Sequence, residues 1–240
     1  TIEALNRAGI AHAGAGRDLQ AARAPALLTT PNGVRIAVVA FADYPASWAA
    51  TADAPGLNFT PVSVDTEPFA LITAAIADAQ ALADVVIFSI HWGPNMRAHP
   101  TPEFREFARR VIEAGADVFW GHSAHLVQGI ELYHGRPILY DTGDFVDDYA
   151  VDRRVRHDLS ALFLLDVVGS RIERIQLVPV AIGHMQVNLA TGENRAWIAS
   201  RLIRLCEEMG TELVDAAERL TIDVRVGTHA GLPIESANER

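Results

Sequence analysis

Two stretches of the chain carry apolar residues at helical spacing, and each is followed at once by a short β-branched run. Phe69, Ile72, Ile76, Ala79 and Leu82 mark one helical face, after which comes DVVIFSI at 84–90. Phe104, Phe107, Ala108, Val111 and Ile112 mark another, with Thr101-Pro102 as its start, Gly115 as its stop and DVFW at 117–120 as the strand beyond. A further buried strand is predicted over GVRIAVVAF at 33–41, and alternation of helix with buried strand points to an α/β fold. Ile2, Leu5 and Ala8 predict a short helix over 1–9, the HAGAG turn follows, and RDLQAAR at 17–23 predicts a second short helix. Residues 43–65, rich in Ala, Pro, Ser and Thr, have no period and read as a long loop.

The pattern changes after residue 129. GIELY, HGRPILY, LSALFLLDVV and RIERIQLVPV are short strands divided by turns, and the turn at Gly169 and Ser170 predicts an antiparallel hairpin. Ile198, Leu202, Leu205 and Met209 predict a late helix closed by Gly210, and LTIDVRV at 220–226 a last strand. One domain over 1–226 is expected, with a loose tail over 227–240.

Charge and length narrow the possible partners. The 240 residues hold thirty acidic and twenty basic side chains, a formal charge of -10, and no basic patch, which argues against nucleic acid as a partner. The longest apolar runs fall short of the about 20 residues that a membrane-spanning helix requires, so no membrane span is expected. No basic leader followed by an apolar block opens the chain, which leaves cytoplasmic and envelope-associated locations both open. The lone cysteine, Cys206, falls on the apolar side of the late helix and is expected in the core.

Candidate chemistry collects just after the two best strands, where α/β proteins commonly build their sites. His91-Trp92-Gly93 follows one strand and Gly121-His122-Ser123-Ala124-His125 the other. A neutral imidazole offers a lone pair to a divalent transition metal, and neighbouring glycines let the backbone bend so that rings converge. His91, His122 and His125 are therefore the candidate ligands for an ion such as Mn, Fe or Zn. Asp141 and Asp144, in YDTGDF, could orient such imidazoles through hydrogen bonds, whereas Asp147 and Asp148 read as surface or capping residues. Asn95 could orient substrate or water. Arg156, within a cluster of Arg153, Arg154 and His157, could hold an anionic group or pair with the aspartates nearby. His12, His99, His134, His184 and His229 have no local partner pattern and read as structural or exposed.

Together, HWG, GHSAH and ELYHGRPILYDTGDF resemble the capsule-synthesis family of the CapA or poly-γ-glutamate-synthesis type, whose domain is similar to calcineurin-like metallophosphoesterases. The resemblance covers about residues 1–165. It implies a four-layer α/β/β/α sandwich with mixed sheets and a metal centre at one edge, incomplete at the amino terminus because the family's earlier Gly-Asp and Asn-His motifs are not in this sequence. His91 would serve as the ligand of the HWG motif, and His122 and His125 as those of the Gly-His motif. The usual Gly-His-x-His carries one residue fewer between its histidines than GHSAH, which leaves open which of the two binds. With three imidazoles and no bridging carboxylate, at most one weakly held ion is expected.

The implied activity is metal-assisted hydrolysis of a phosphorylated or anionic small-molecule or polymer substrate, with capsule-synthesis proteins as possible partners. Two alternatives stand beside it. One is a non-catalytic scaffold subunit of polymer synthesis or export, and the other a single-metal amidohydrolase acting on γ-glutamyl bonds.

Overall fold

A computed structural model describes residues 1–147 and 151–225. In chain order its elements begin with α1 (Ile2–Arg7), β1 (Ala15–Gly16), α2 (Leu19–Arg23), β2 (Ala26–Thr29), β3 (Arg35–Ala42), a 3-10 turn (Ala46–Trp48) and β4 (Gly56–Leu57). The central part comprises α3 (Thr66–Gln80), β5 (Val85–His91), α4 (Pro102–Glu113), β6 (Val118–His122), β7 (Ile130–Tyr133) and β8 (Arg136–Leu139). The last part comprises β9 (Leu159–Val168), β10 (Arg171–Gly183), β11 (Gln186–Leu189), α5 (Gly192–Glu207), β12 (Val214–Ala216) and β13 (Arg219–Asp223).

Two sheets stack to form an α/β sandwich. The first has the order β2-β3-β5-β6-β8-β7, and its inner strands β3, β5, β6 and β8 run parallel, with antiparallel β2 and β7 at the edges. The second is antiparallel and centres on β10, which pairs with β9 along most of its length and with β13 and β11 over separate stretches.

Alternation along β5 explains how the first sheet serves two cores. Val86, Phe88 and Ile90 face α3 and α4, where they pack with Ile72, Ile76, Phe107 and Val111. Val85 and Ile87 face the second sheet and join Val118, Leu139, Ile175, Leu177 and Leu220. Helix α5 closes this second core with Ile198, Leu202 and Cys206, so the cysteine is buried as expected. Helix α4 starts where Thr101-Pro102 predicts: the Thr101 hydroxyl accepts from the Phe104 N–H, and Pro102 occupies the first turn, where its missing N–H costs nothing.

Several elements differ from the sequence expectation. β2 falls in a segment with no alternating pattern, and its Leu27 and Leu28 both remain exposed at the sheet edge. β11 and β12 are likewise short edge strands with little buried side-chain area to leave a period. The loop over 43–65 contains the 3-10 turn and β4, which pairs with β1. β10 continues past Val180 to Gly183. Asp148, the expected tail over 227–240 and His229 lie outside the described residues. Among the described residues, no helix is long and apolar enough to cross a membrane.

Candidate metal centre

The parallel register sets the site. β3 and β5 align Ala42 with His91, and β5 and β6 align His91 with His122. Asp43, the first residue past β3, is thereby placed beside His91. Asp141 follows β8, the next parallel strand, so the carboxyl ends of four neighbouring strands present Asp43, His91, His122 and Asp141 along one edge.

The His91 and His122 rings lie 6.0 Å apart between centroids, inclined by 74°. His91 Nδ1 meets Asp43 Oδ1 at 3.2 Å, and the other oxygen of that carboxylate accepts from the Gly93 N–H at 2.6 Å. With Nδ1 engaged, Nε2 of His91 is the nitrogen left to face a ligand, on a side chain that is 41% exposed. His122 lies deeper, 3.3 Å from the Ser89 hydroxyl. Burial first, and then the neighbouring His91, push its pKa down to about 4, so the ring is neutral near pH 7.

Two glycines explain the spelling of the motifs. A Cβ on Gly121 would lie 2.2 Å from the Tyr140 carbonyl oxygen and 2.4 Å from Trp92 Nε1, so GH and HW are mutually fitted. The buried Trp92 indole donates to that same carbonyl at 2.9 Å and packs on Phe104 and Phe119. Gly93 has φ +74°, and a Cβ there would strike the Phe104 ring at 2.8 Å.

The loop after His122 is backbone-strained. Ser123 has φ 132° and His125 φ 61°, both unusual for residues with a Cβ. Asp141 holds the residue between them by accepting from the Ala124 N–H at 2.7 Å, and it accepts from the Gly143 N–H at 2.9 Å. Burial nonetheless raises its pKa to about 6, against the pull of those N–H groups and of Arg97. The Ser123 hydroxyl ties the loop to HWG by donating to the Gly93 carbonyl.

His125 forms a second pair. Its Nδ1 lies 2.7 Å from Asp144 Oδ1, and the Asp144 carboxyl is shifted upward, chiefly by burial, with Asp147 among the groups beside it. Asp147 is therefore half-buried against Asp144, rather than the surface or capping residue expected. The structure thus groups His91 with His122 and Asp43, and His125 with Asp144 and Asp147. Asn95 is exposed on the loop after HWG. Arg156 engages Asp158 at 2.8 and 2.9 Å and Asn194 at 3.2 Å, with its guanidinium 5.9 Å from the Trp197 ring.

Asp43, Ser89 and Arg97 are the site residues that sequence reasoning overlooks. Asp43 carried a usable signal, being the residue after a buried strand, as His91 nearly is. Arg97 gave none: its guanidinium is buried over the Phe104 ring at 3.7 Å, and its charge acts on both Asp141 and Asp43.

Can these groups hold an ion? Metal–imidazole bonds of about 2.0–2.1 Å at a tetrahedral angle place two rings that share one ion with centres about 5 Å apart, so the His91 and His122 rings, at 6.0 Å, are neighbours that would close by about 1 Å to share one. Among the described residues, no group of three or more His, Cys, Asp or Glu side chains is gathered closely enough to hold a metal ion. The residues offer two neighbouring imidazoles as candidate ligands, His91 backed by Asp43 and His122 with its Nε2 beside the Ser89 hydroxyl.

A paired-sheet α/β sandwich with histidines at the ends of neighbouring parallel strands defines the class. The chain belongs to a family described as bacterial capsule synthesis protein PGA_cap, whose pattern matches residues 1–149. It is 33% identical over 229 residues to a probable polyglutamine synthesis accessory protein of Mycobacterium tuberculosis, covering 92% of this chain and 60% of that protein. It is 35% identical over 170 residues to the PGA biosynthesis protein CapA of Bacillus subtilis, covering 70% and 42% of the two chains. Against the capsule biosynthesis protein CapA of Bacillus anthracis, identity is 30% over 191 residues, with 75% and 45% covered. The chain thus spans less than two thirds of the length of these relatives.

Proposed function

We propose that this chain carries part of a metal-dependent hydrolase centre of the phosphoesterase type, acting in the metabolism of a capsule or poly-γ-glutamate polymer. The observation that carries the reading is the His91–His122 pair at aligned strand ends, with Asp43 fixing the tautomer of His91. His91 and His122 would hold the ion; His125, with Asp144 behind it, stands on the adjoining loop as a further ligand or as a proton carrier near the substrate. A divalent ion bound there would lower the pKa of bound water to about 7 and offset charge on a phosphoryl group.

The chain's own residues do the rest. Asp43 orients His91, burial keeps His122 unprotonated, and Asp141 keeps the strained loop in place so that His125 stays beside Asp144. Imidazole ligands must be deprotonated to bind, so acid should weaken metal uptake, and for His122 only as pH approaches about 4. Metal content and phosphodiesterase activity of His91→Ala and His122→Ala test the reading. Loss of both properties is expected, and retention of both would overturn it.

A second reading is supported by the name of one of the relatives. In it the same fold acts as a non-catalytic subunit of polymer synthesis, in keeping with the word accessory in the name of the mycobacterial relative. Variants without metal that still support polymer production in cells would favour it.

A further inference from the structure

The His91–His122 edge opens into a cleft of about 840 Å³ whose other wall comes from the loop after β3. Tyr44, Ser47 and Trp48 supply this wall, while Phe41 and Ala40 lie at the base beside Ser89. Among the described residues that line the cleft, none is Lys, Arg, Asp or Glu. In a chain of formal charge -10, a polyanion entering this space would find no lysine or arginine among those lining residues to pair with.

Tyr44 and Trp48 are 71% and 64% exposed, high values for large aromatic residues. Their backbone, in contrast, is firmly held. The Trp48 N–H donates to the Pro45 carbonyl, the Ala50 N–H donates to the Leu57 carbonyl, and Ala49 bridges Leu57. Gly56 leaves no room for a side chain, because a Cβ would lie 2.4 Å from the Trp48 carbonyl oxygen and 2.5 Å from the Ala50 nitrogen. The small β1–β4 sheet thus fixes a loop that presents two aromatic rings to solvent at the mouth of the candidate centre.

We propose that this cleft binds a neutral sugar residue, so that the bond presented to the His91–His122 centre is an ester of a carbohydrate; the latter half rests on the function proposed above. A sugar ring has an apolar C–H face that suits an exposed indole or phenol and a rim of hydroxyls that suits uncharged donors and acceptors. The cleft supplies both, with Trp48 and Tyr44 as platforms and the Ser47, Ser89 and imidazole groups as polar partners. A poly-γ-glutamate chain, with a carboxylate on each unit, finds no lysine or arginine among these lining residues.

The test is a binding titration on the full chain in the presence of a chelator, so that it does not depend on metal or turnover. Maltotriose, triacetylchitotriose and tri-γ-glutamate are titrated against tryptophan fluorescence, with saturation-transfer NMR as a second signal. Saturable binding of at least one neutral trisaccharide is expected, weakened about tenfold or more by Trp48→Ala and by Tyr44→Ala. Both side chains are mostly exposed, so neither substitution should unfold the protein. The proposal is overturned if neither saccharide binds, if tri-γ-glutamate binds in their place, or if saccharide binding survives both substitutions. Sugar binding by a protein that takes up no metal would leave the cleft assignment standing and remove the hydrolase. Phosphodiesterase activity without sugar binding would do the reverse.

Discussion

Two buried carboxylates, Glu131 on β7 and Asp141 just past β8, show how differently one sheet can treat a charge. Glu131, on β7, is held by Arg109 at 2.8 Å through Nε, by Arg105 at 3.5 Å and by the Tyr140 hydroxyl at 2.6 Å. Cations on α4 meet it, and the group is closed. Asp141 is as deeply buried, yet its direct partners are backbone N–H groups, and burial lifts its pKa to about 6. The first arrangement fastens a helix to a sheet. The second leaves a carboxyl near its titration point beneath a strained loop, as is common where a protein builds chemistry.

The comparison breaks most visibly at Glu131. Replacing it with Ala should leave two guanidiniums and a phenol facing an empty space and cost about 3–5 kcal/mol, read as a fall in the midpoint of chemical denaturation. A loss below about 1 kcal/mol would mean that solvent already shares the charge. Gly121→Ala should be nearly as costly, about 3 kcal/mol, because the new methyl meets a backbone oxygen and the Trp92 indole. A crystal structure or Trp fluorescence of the variant would reveal the displaced indole.

Asp141→Asn should cost less, about 1–3 kcal/mol, and its value lies in the pH dependence. Asp141 has its folded pKa raised from 3.8 to about 6, so the native state binds a proton that the unfolded chain does not, and stability from this group rises as pH falls from about 6 to 4. His122 works in the opposite sense. Its folded pKa is lowered from 6.5 to about 4, so over nearly the same window acid favours the unfolded chain. With metal removed, Asp141→Asn should therefore lose stability faster than the parent between pH 6 and 4, and His122→Asn should lose it more slowly. Parallel curves for the two variants would show that neither environment is as described.

Much of this was legible in the sequence, and the reasons are physical. The strands β3, β5 and β6 and the helices α3 and α4 have a face or run that is fully buried, so their periodicity survives in the residue order. Likewise, HWG and GHSAH stood out because histidines right after such runs fall at strand ends. Edge strands such as β2 bury little and leave no period. Asp43 could have been found by applying the strand-end argument to β3. The split that pairs His91 with His122, and His125 with Asp144, could not, because it depends on strand register and on positive φ at Ser123 and His125. Arg97 is similar: nothing in PNMR signals that the guanidinium will turn inward over Phe104.

His91→Ala should have the smallest effect on stability, within about 0.5 kcal/mol, because the ring is substantially exposed. Its effect on metal is the central matter. Titration of Mn, Fe(II) or Zn into the parent and the single variants, followed by calorimetry and by metal analysis after gel filtration, addresses it directly. One ion per chain in the parent is expected, with affinity reduced about tenfold or more by His91→Ala and by His122→Ala, and less by His125→Ala. Undiminished uptake in both His91→Ala and His122→Ala would contradict the account.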